Sequence, residues 1–264
     1  MTAIALTIAG SDSGGGAGIQ ADLKTFSALG VYGASVITAI TAQNTKGVTA
    51  IENLSPSIIS AQIDAVLSDI DVAAIKIGMV SAVAAIESIV NGLRGWHRAL
   101  VIDPVMVATS GDRLLEPGAI DALRQVLLPK ATLVTPNLAE SALLTGRPVA
   151  GDAAEMVRQA ELLLAVGAST VLIKGGHGSG SESSDLLCDG KTQEWFSSPR
   201  IATDNDHGTG CTLAAAITAE LAKGEILADA VAHAKDYVTS AMLAGSELRV
   251  GRGRGPVHHF HRWW

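Results

Sequence analysis

The stretch Asp206-His207-Gly208-Thr209-Gly210-Cys211-Thr212-Leu213 decides how the rest of this 264-residue chain reads. Two glycines flank a threonine and a cysteine follows. The alanine-rich run Ala214-Ala215-Ala216-Ile217-Thr218-Ala219-Glu220-Leu221 then predicts a helix. A helix start leaves its first N–H groups unpaired and carries partial positive charge, so an anion is favoured there. Gly208 and Gly210 lack a Cβ, which lets the backbone turn tightly against a ligand. Cys211 falls where a thiol loses its proton most easily. Such a turn suits the oxyanions of a phosphoryl group in transfer. A glycine loop before a buried helix, with Cys211 as a small core residue, is the competing reading.

The composition sets that turn in an α/β protein. The chain is 48% hydrophobic but only 3% aromatic, and its mean hydropathy is +0.33. Its core must therefore be built from Ala, Val, Ile and Leu, which suits parallel strands buried on both faces. A net charge of −7 argues against a nucleic-acid partner or an anionic membrane surface. Any phosphate must be held locally, by loops, helix ends, single lysines or a metal. Cys188 and Cys211 make no disulfide framework. The N-terminal apolar run is too short, and lacks the basic flank, for a signal peptide, and no apolar run reaches the length of a membrane span. A cytoplasmic protein is expected.

Working outward, Ile4 to Ala9 predicts a buried strand, followed by the loop Gly10-Ser11-Asp12-Ser13-Gly14-Gly15-Gly16-Ala17-Gly18 and a helix from Ile19 to Leu29. The loop is neither a Walker loop, since Ile19-Gln20 follows Gly18, nor a Gly-x-Gly-x-x-Gly fingerprint. It reads as a flexible, ligand-facing loop, and Asp22 and Lys24 behind it read as solvated helix charges. A second strand is predicted from Gly33 to Ile40, leading into Thr41-Ala42-Gln43-Asn44. Gln43 and Asn44 would there face a polar heterocycle at the carboxyl edge of the sheet, where open α/β sheets bind ligands. Turn formation explains Asn44 equally well.

Helices from Ser57 to Leu67 and Val80 to Leu93, and strands from Ala73 to Ile77 and Ala99 to Ile102, continue the alternation. Asp103 just past an apolar strand is poorly explained as surface decoration. Asn137 and Glu140 have the spacing of a capping box, as do Asp152 and Glu155 before the helix Ala153 to Val166, which Gly167 ends. Lys174 leaves the strand Thr170 to Ile173 into a glycine turn, as a phosphate contact or as a lysine snorkelling at the sheet edge. A Ser/Gly-rich loop from Ser179 to Ser184, a hairpin turning at Asp189-Gly190, and helices from Thr212 to Ala222 and Leu227 to Leu243 follow. His258-His259-Phe260-His261 lacks a second ligand set and reads as a tail, packed or exposed. The unbroken order strand–helix–strand predicts one domain over residues 1–264. It would hold a mostly parallel central sheet with helices on both faces.

Taken together, the loops resemble the ribokinase-like superfamily, and within it the hydroxymethylpyrimidine/phosphomethylpyrimidine kinases of thiamine biosynthesis. The resemblance runs through residues 8–22, Ala39 to Thr45, Lys76-Ile77-Gly78-Met79 and Asp103-Pro104-Val105-Met106-Val107-Ala108. It continues through Thr135-Pro136-Asn137, Lys174-Gly175-Gly176-His177, His207 to Thr212 and Gly255-Pro256-Val257. It implies the three-layer α-β-α ribokinase-like fold and an ATP- and Mg2+-dependent kinase. Such an enzyme phosphorylates 4-amino-5-hydroxymethyl-2-methylpyrimidine and then its monophosphate. By that likeness Gly208, Thr209, Gly210 and Cys211 form the anion hole, and Lys174 contacts nucleotide phosphates. Asp103 and Glu140 help hold Mg2+ through water. The pyrimidine lies among Gly10, Ala17, Asp22, Gln43, Met79 and Val105. A homodimer is implied as well. The chain departs from its relatives at Asp206, where they usually show Thr.

A pyridoxal kinase shares fold and anion hole with this reading, and Gln43 and Met79 favour the pyrimidine. A Cys-nucleophile hydrolase would need His207 as base for Cys211. A non-catalytic pyrimidine sensor is opposed by the intact set Asp103, Glu140, Lys174 and Gly208 to Cys211.

Overall fold

Short runs of Ala, Val, Ile and Leu bounded by Gly, Pro and Asp build a sheet that is covered on both faces. The computed structural model describes residues 2–106, 115–176 and 180–264. The first half runs β1 (Ile4–Ala9), α1 (Gly18–Ala28), β2 (Tyr32–Ile37), β3 (Ala39–Asn44), β4 (Gly47–Asn53), α2 (Pro56–Leu67), β5 (Ala74–Ile77), α3 (Val83–Gly92) and β6 (Ala99–Ile102). After α4 (Ala119–Ala122) come β7 (Leu133–Val134), α5 (Leu138–Thr145), α6 (Ala153–Val166) and β8 (Val171–Ile173). The chain then forms β9 (Glu182–Cys188), β10 (Gln193–Pro199), α7 (Thr209–Lys223) and α8 (Leu227–Gly245).

The central sheet has the order β10-β9-β8-β7-β6-β5-β1-β2. From β8 to β2 every pairing is parallel, and only β9 runs against its neighbours. Alternation along each strand sorts the side chains by face. Leu6, Ile8, Ile75, Ile77, Leu100 and Ile102 join one core with residues of α2, α3 and α6. The other face carries Val101, Leu133 and Leu172 against α7 and α8, and Ala5 against Phe26 of α1 and Ala215 and Ala219 of α7. The small residues on both sides let α7 lie close to the middle strands.

Helix signals in the sequence hold locally. Asn137 and Glu140 form a capping box with both bonds made, at 2.9 and 2.7 Å. Asp152 caps α6 through the Glu155 N–H at 2.8 Å, but the Glu155 carboxylate turns to Arg147 and Arg158 instead of reaching back. Gly167 closes α6 with φ of 118°.

Two elements differ from the sequence reading. The strand expected to run to Ile40 ends at Ile37, and Ala39–Asn44 pairs instead with Gly47–Asn53 in a separate two-stranded sheet. Thr38 makes the break: its hydroxyl donates to Met79 O at 3.0 Å, and its carbonyl accepts Leu54 N–H. The second is a helical run from α4 through Leu123–Leu127 and Leu128–Lys130, which the sequence reading left unassigned.

Candidate active site

Parallel strands deliver their carboxyl ends to one edge, and α7 begins there. Gly208 precedes α7 with φ of 79°, and no side chain caps the helix. A Cβ on Gly208 would sit 1.9 Å from Gly16 O, so only glycine lets the β1–α1 loop close over this turn. The start of α7 carries no side-chain cap, Thr209 N–H donates to Asp206 O at 3.2 Å, and Gly16 and Ala17 pack against the turn. The positions Gly208, Thr209, Gly210 and Cys211 form this first turn, as the sequence predicts.

Lys174 faces the same place. Its Nζ lies 3.3 Å from where a Cβ on Gly210 would be, and it donates to Asp103 Oδ1 at 2.7 Å. Glu140 Oε2 is 3.9 Å away. Asp103 also accepts the Thr135 hydroxyl on Oδ1, whereas Oδ2 is buried and, among the described residues, receives no hydrogen bond. A buried polar oxygen without a hydrogen bond is costly, so the chemistry of this donor set fits a cation or its water. Burial, with Asp103 adding to it against the pull of Lys174, pushes Glu140 up to about 7.

Gly10 and Val105 both lie against Met79. Met79 and Ala39 form a small apolar cluster with Val48 and Val105, and a Cβ on Gly10 would strike the Met79 methyl at 2.4 Å. The β3–β4 hairpin covers this cluster. Its register slips between Ala42 and Gln43, a bulge that re-aims the Gln43 side chain. Ser13 fastens the hairpin to the glycine loop, donating to Gln43 O at 2.7 Å and accepting Gln43 N–H at 2.8 Å. An apolar shelf with a glutamine at its rim suits a flat heterocycle.

A sequence profile of the family described as phosphomethylpyrimidine kinase matches residues 12–258. The chain belongs to that family. The hydroxymethylpyrimidine/phosphomethylpyrimidine kinase of Rhizobium meliloti (strain 1021) is 66% identical over 264 residues, which is 100% of this chain and 99% of the relative. An ADP complex of Bacillus subtilis pyridoxal kinase superposes with a TM-score of 0.91 at 38% identity, covering 99% of each chain. Phosphomethylpyrimidine kinase from Clostridium difficile 630 superposes at 0.80 with 47% identity, over 90% of this chain and 98% of that one. The ribokinase-like fold expected from the loops is therefore the fold of this kinase.

The structure corrects the reading of two residues of this phosphomethylpyrimidine kinase. Asp22 is wholly buried instead of solvated. Both of its oxygens accept Lys76 Nζ at 2.8 Å and Oδ2 accepts the Thr7 hydroxyl at 2.6 Å. Cys211 is not an easily ionised thiol. Burial pushes it up to about 11, with Asp103 and Asp22 adding to the effect and Lys76 and the Gly18 N–H opposing it. Burial also works against the Lys76 charge, but Asp22 outweighs it and holds the ammonium protonated.

Lys76 and Asp12 escaped the sequence reading as site residues. Lys76 sits mid-strand among apolar residues, and the one signal was Gly78, whose missing Cβ leaves room for Lys76 Nζ. Asp12 looked like one more polar letter of a glycine loop. Asp206, the departure from the family, pairs with Arg254 through both of its oxygens, so its charge is neutralised. His177, Ser179 and residues 107–114 lie outside the described residues, and Glu182 to Ser184 of the expected Ser/Gly-rich loop begin β9 instead.

Proposed function

We propose that this kinase transfers the γ-phosphoryl group of ATP to the hydroxymethyl group of 4-amino-5-hydroxymethyl-2-methylpyrimidine. A second transfer to the monophosphate then makes the diphosphate used in thiamine biosynthesis. The observation that carries the reading is the uncapped start of α7 with the Lys174 ammonium beside Gly210. Phosphoryl transfer through a loose transition state needs positioning and charge neutralisation more than covalent chemistry. The backbone of Gly208 to Cys211 receives the phosphoryl oxygens, and Lys174 neutralises phosphate charge on the nucleotide side.

Asp103 and Glu140 are the residues that would hold Mg2+, through water, and the bare Asp103 Oδ2 fits that task. Bound there, the ion would add charge neutralisation at the phosphates. Gly10, Ala17, Met79 and Val105 seat the ring, and Gln43 reads its polar edge. Asp22 supports the site from behind, through Lys76. With its thiol protonated at neutral pH, Cys211 acts by position and not as a standing thiolate.

Because the similar Bacillus subtilis structure is a pyridoxal kinase, the test runs two substrates in parallel. Mass spectrometry after incubation with Mg-ATP is expected to show pyrimidine monophosphate and then diphosphate. Phosphorylation of pyridoxal alone would overturn the assignment of Gln43 and keep the anion hole.

A further inference from the structure

Asp12 is a charged residue inside the loop that faces the pyrimidine, and it is 1% exposed. Its Oδ1 accepts Gly14 N–H at 2.8 Å; its Oδ2 accepts Gly16 N–H at 3.0 Å and Ala17 N–H at 2.8 Å. The same Oδ2 lies 2.9 Å from His207 Nε2. His207 stands immediately before the anion-hole turn, and its N–H donates to Gly255 O at 3.0 Å. A Cβ on Gly16 would lie 2.4 Å from the His207 ring, so loop and ring are in close contact.

An ionised carboxylate already holding three backbone N–H donors is acceptor-only. His207 must therefore carry its proton on Nε2 and donate it to Asp12. Burial disfavours the Asp12 charge, but the His207 bond and the Ala17 and Gly14 amides outweigh it and hold the carboxyl below its usual range. Gln43 Nε2 is 3.4 Å from His207 Nε2. The Gln43 amide oxygen accepts the Thr41 hydroxyl at 3.3 Å, so the same imidazole touches the glutamine of the ring site as well as Asp12.

We infer that Asp12 and His207 are positioning residues: a carboxylate–imidazole latch that locks the pyrimidine-facing loop onto the anion-hole turn. Ring site and phosphoryl site lie on segments about two hundred residues apart, and the Asp12–His207 pair joins them at 2.9 Å. The latch sets the distance between the substrate hydroxymethyl group and the phosphoryl oxygens, a distance on which transfer depends steeply. This rests on the function proposed above.

The test compares His207→Leu, His207→Gln and Asp12→Asn in the full chain. Glutamine places an amide N–H where the ring Nε2–H was and can still donate to Asp12. His207→Leu is expected to lower kcat for the pyrimidine about tenfold or more, with the KM for ATP within about twofold of wild type. His207→Gln is expected to restore most of that loss. In amide NMR spectra, His207→Leu should move the Gly16 and Ala17 resonances, and Asp12→Asn those of Gly208 and Gly210. Wild-type kcat in His207→Leu, equal damage in the leucine and glutamine variants, or resonances unmoved across the gap would each overturn the latch. Should the wild type phosphorylate no pyrimidine, the substrate assignment falls, and the NMR arm still decides the latch.

Discussion

Cys211 shows at the residue scale how two general tendencies compete. A helix N-terminus favours a thiolate, but loss of water around this partly exposed thiol, with Asp103 and Asp22 adding to it, pushes it up to about 11. Alkylation of Cys211 by iodoacetamide in the ligand-free enzyme should therefore climb about tenfold per pH unit up to about pH 10. A plateau near neutral pH would refute this. Cys188, 2% exposed, does not compete. Glu140 is the second residue whose burial can be measured. Its folded value of about 7 lies above the ordinary 4.5. The stability it contributes is complete below 4.5 and is lost as pH rises through about 7, a change on the order of 3 kcal/mol. Glu140→Gln keeps the capping bond and removes the charge. Ligand-free variant and wild type should melt alike near about pH 5, and the variant should melt higher near about pH 8. Turnover with Mg-ATP should fall in the same variant.

At the scale of the element, α7 is a helix whose two ends do different things. Both are bounded by left-handed glycines, Gly208 at φ of 79° and Gly224 at 95°. An alanine at either costs about 1 kcal/mol in conformation. Only Gly208 has the loop carbonyl of Gly16 in the way, and nothing lies within 4 Å of a Cβ on Gly224. Gly224→Ala should lower the melting temperature slightly and leave turnover intact, whereas Gly208→Ala should abolish phosphorylation. Equal activity in the two would mean that the turn has slack. The Lys174 turn is held in a comparable way. Asp185 accepts Gly175 N–H at 2.8 Å and pairs with buried Lys235 at 2.7 Å, which fixes the direction in which Lys174 leaves β8.

At the scale of the whole molecule, the segment from Gly251 to His259 straps the two halves of the site together. Arg252 and Gly253 donate to the Thr45 hydroxyl at the hairpin turn, Arg254 pairs with Asp206, and Gly255 accepts from His207. Beyond Pro256, His259 reaches Thr212 of α7 at 3.2 Å, and Tyr237 of α8 donates to His259 O at 2.6 Å. Burial holds the His259 ring neutral, down to about 3, so this contact persists across the physiological range. Tyr237→Phe should cost about 1 kcal/mol, read as a melting point about 2–4 °C lower. An unchanged melting point would show that the strap carries no stability.

The sequence alone determined most of the order of strands and helices, the sheet's mostly parallel character, the glycine turn at the start of α7 and the family. Those features are written in local letters: apolar period, glycine placement, caps, and motifs that recur in order along the chain. Asn137 and Glu140 were read correctly for this reason, since three residues on one helix turn suffice to make the box. Where the carboxylates and lysines point was decided by the tertiary structure. Asp22 looks solvated until Lys76 from a strand 54 residues on takes its charge, and Asp12 looks like loop until His207 arrives from 195 residues away. Cys211 looks acidic until packing removes its water. Long-range pairing and desolvation set these charges, and neither leaves a mark in the spacing of residues along the chain.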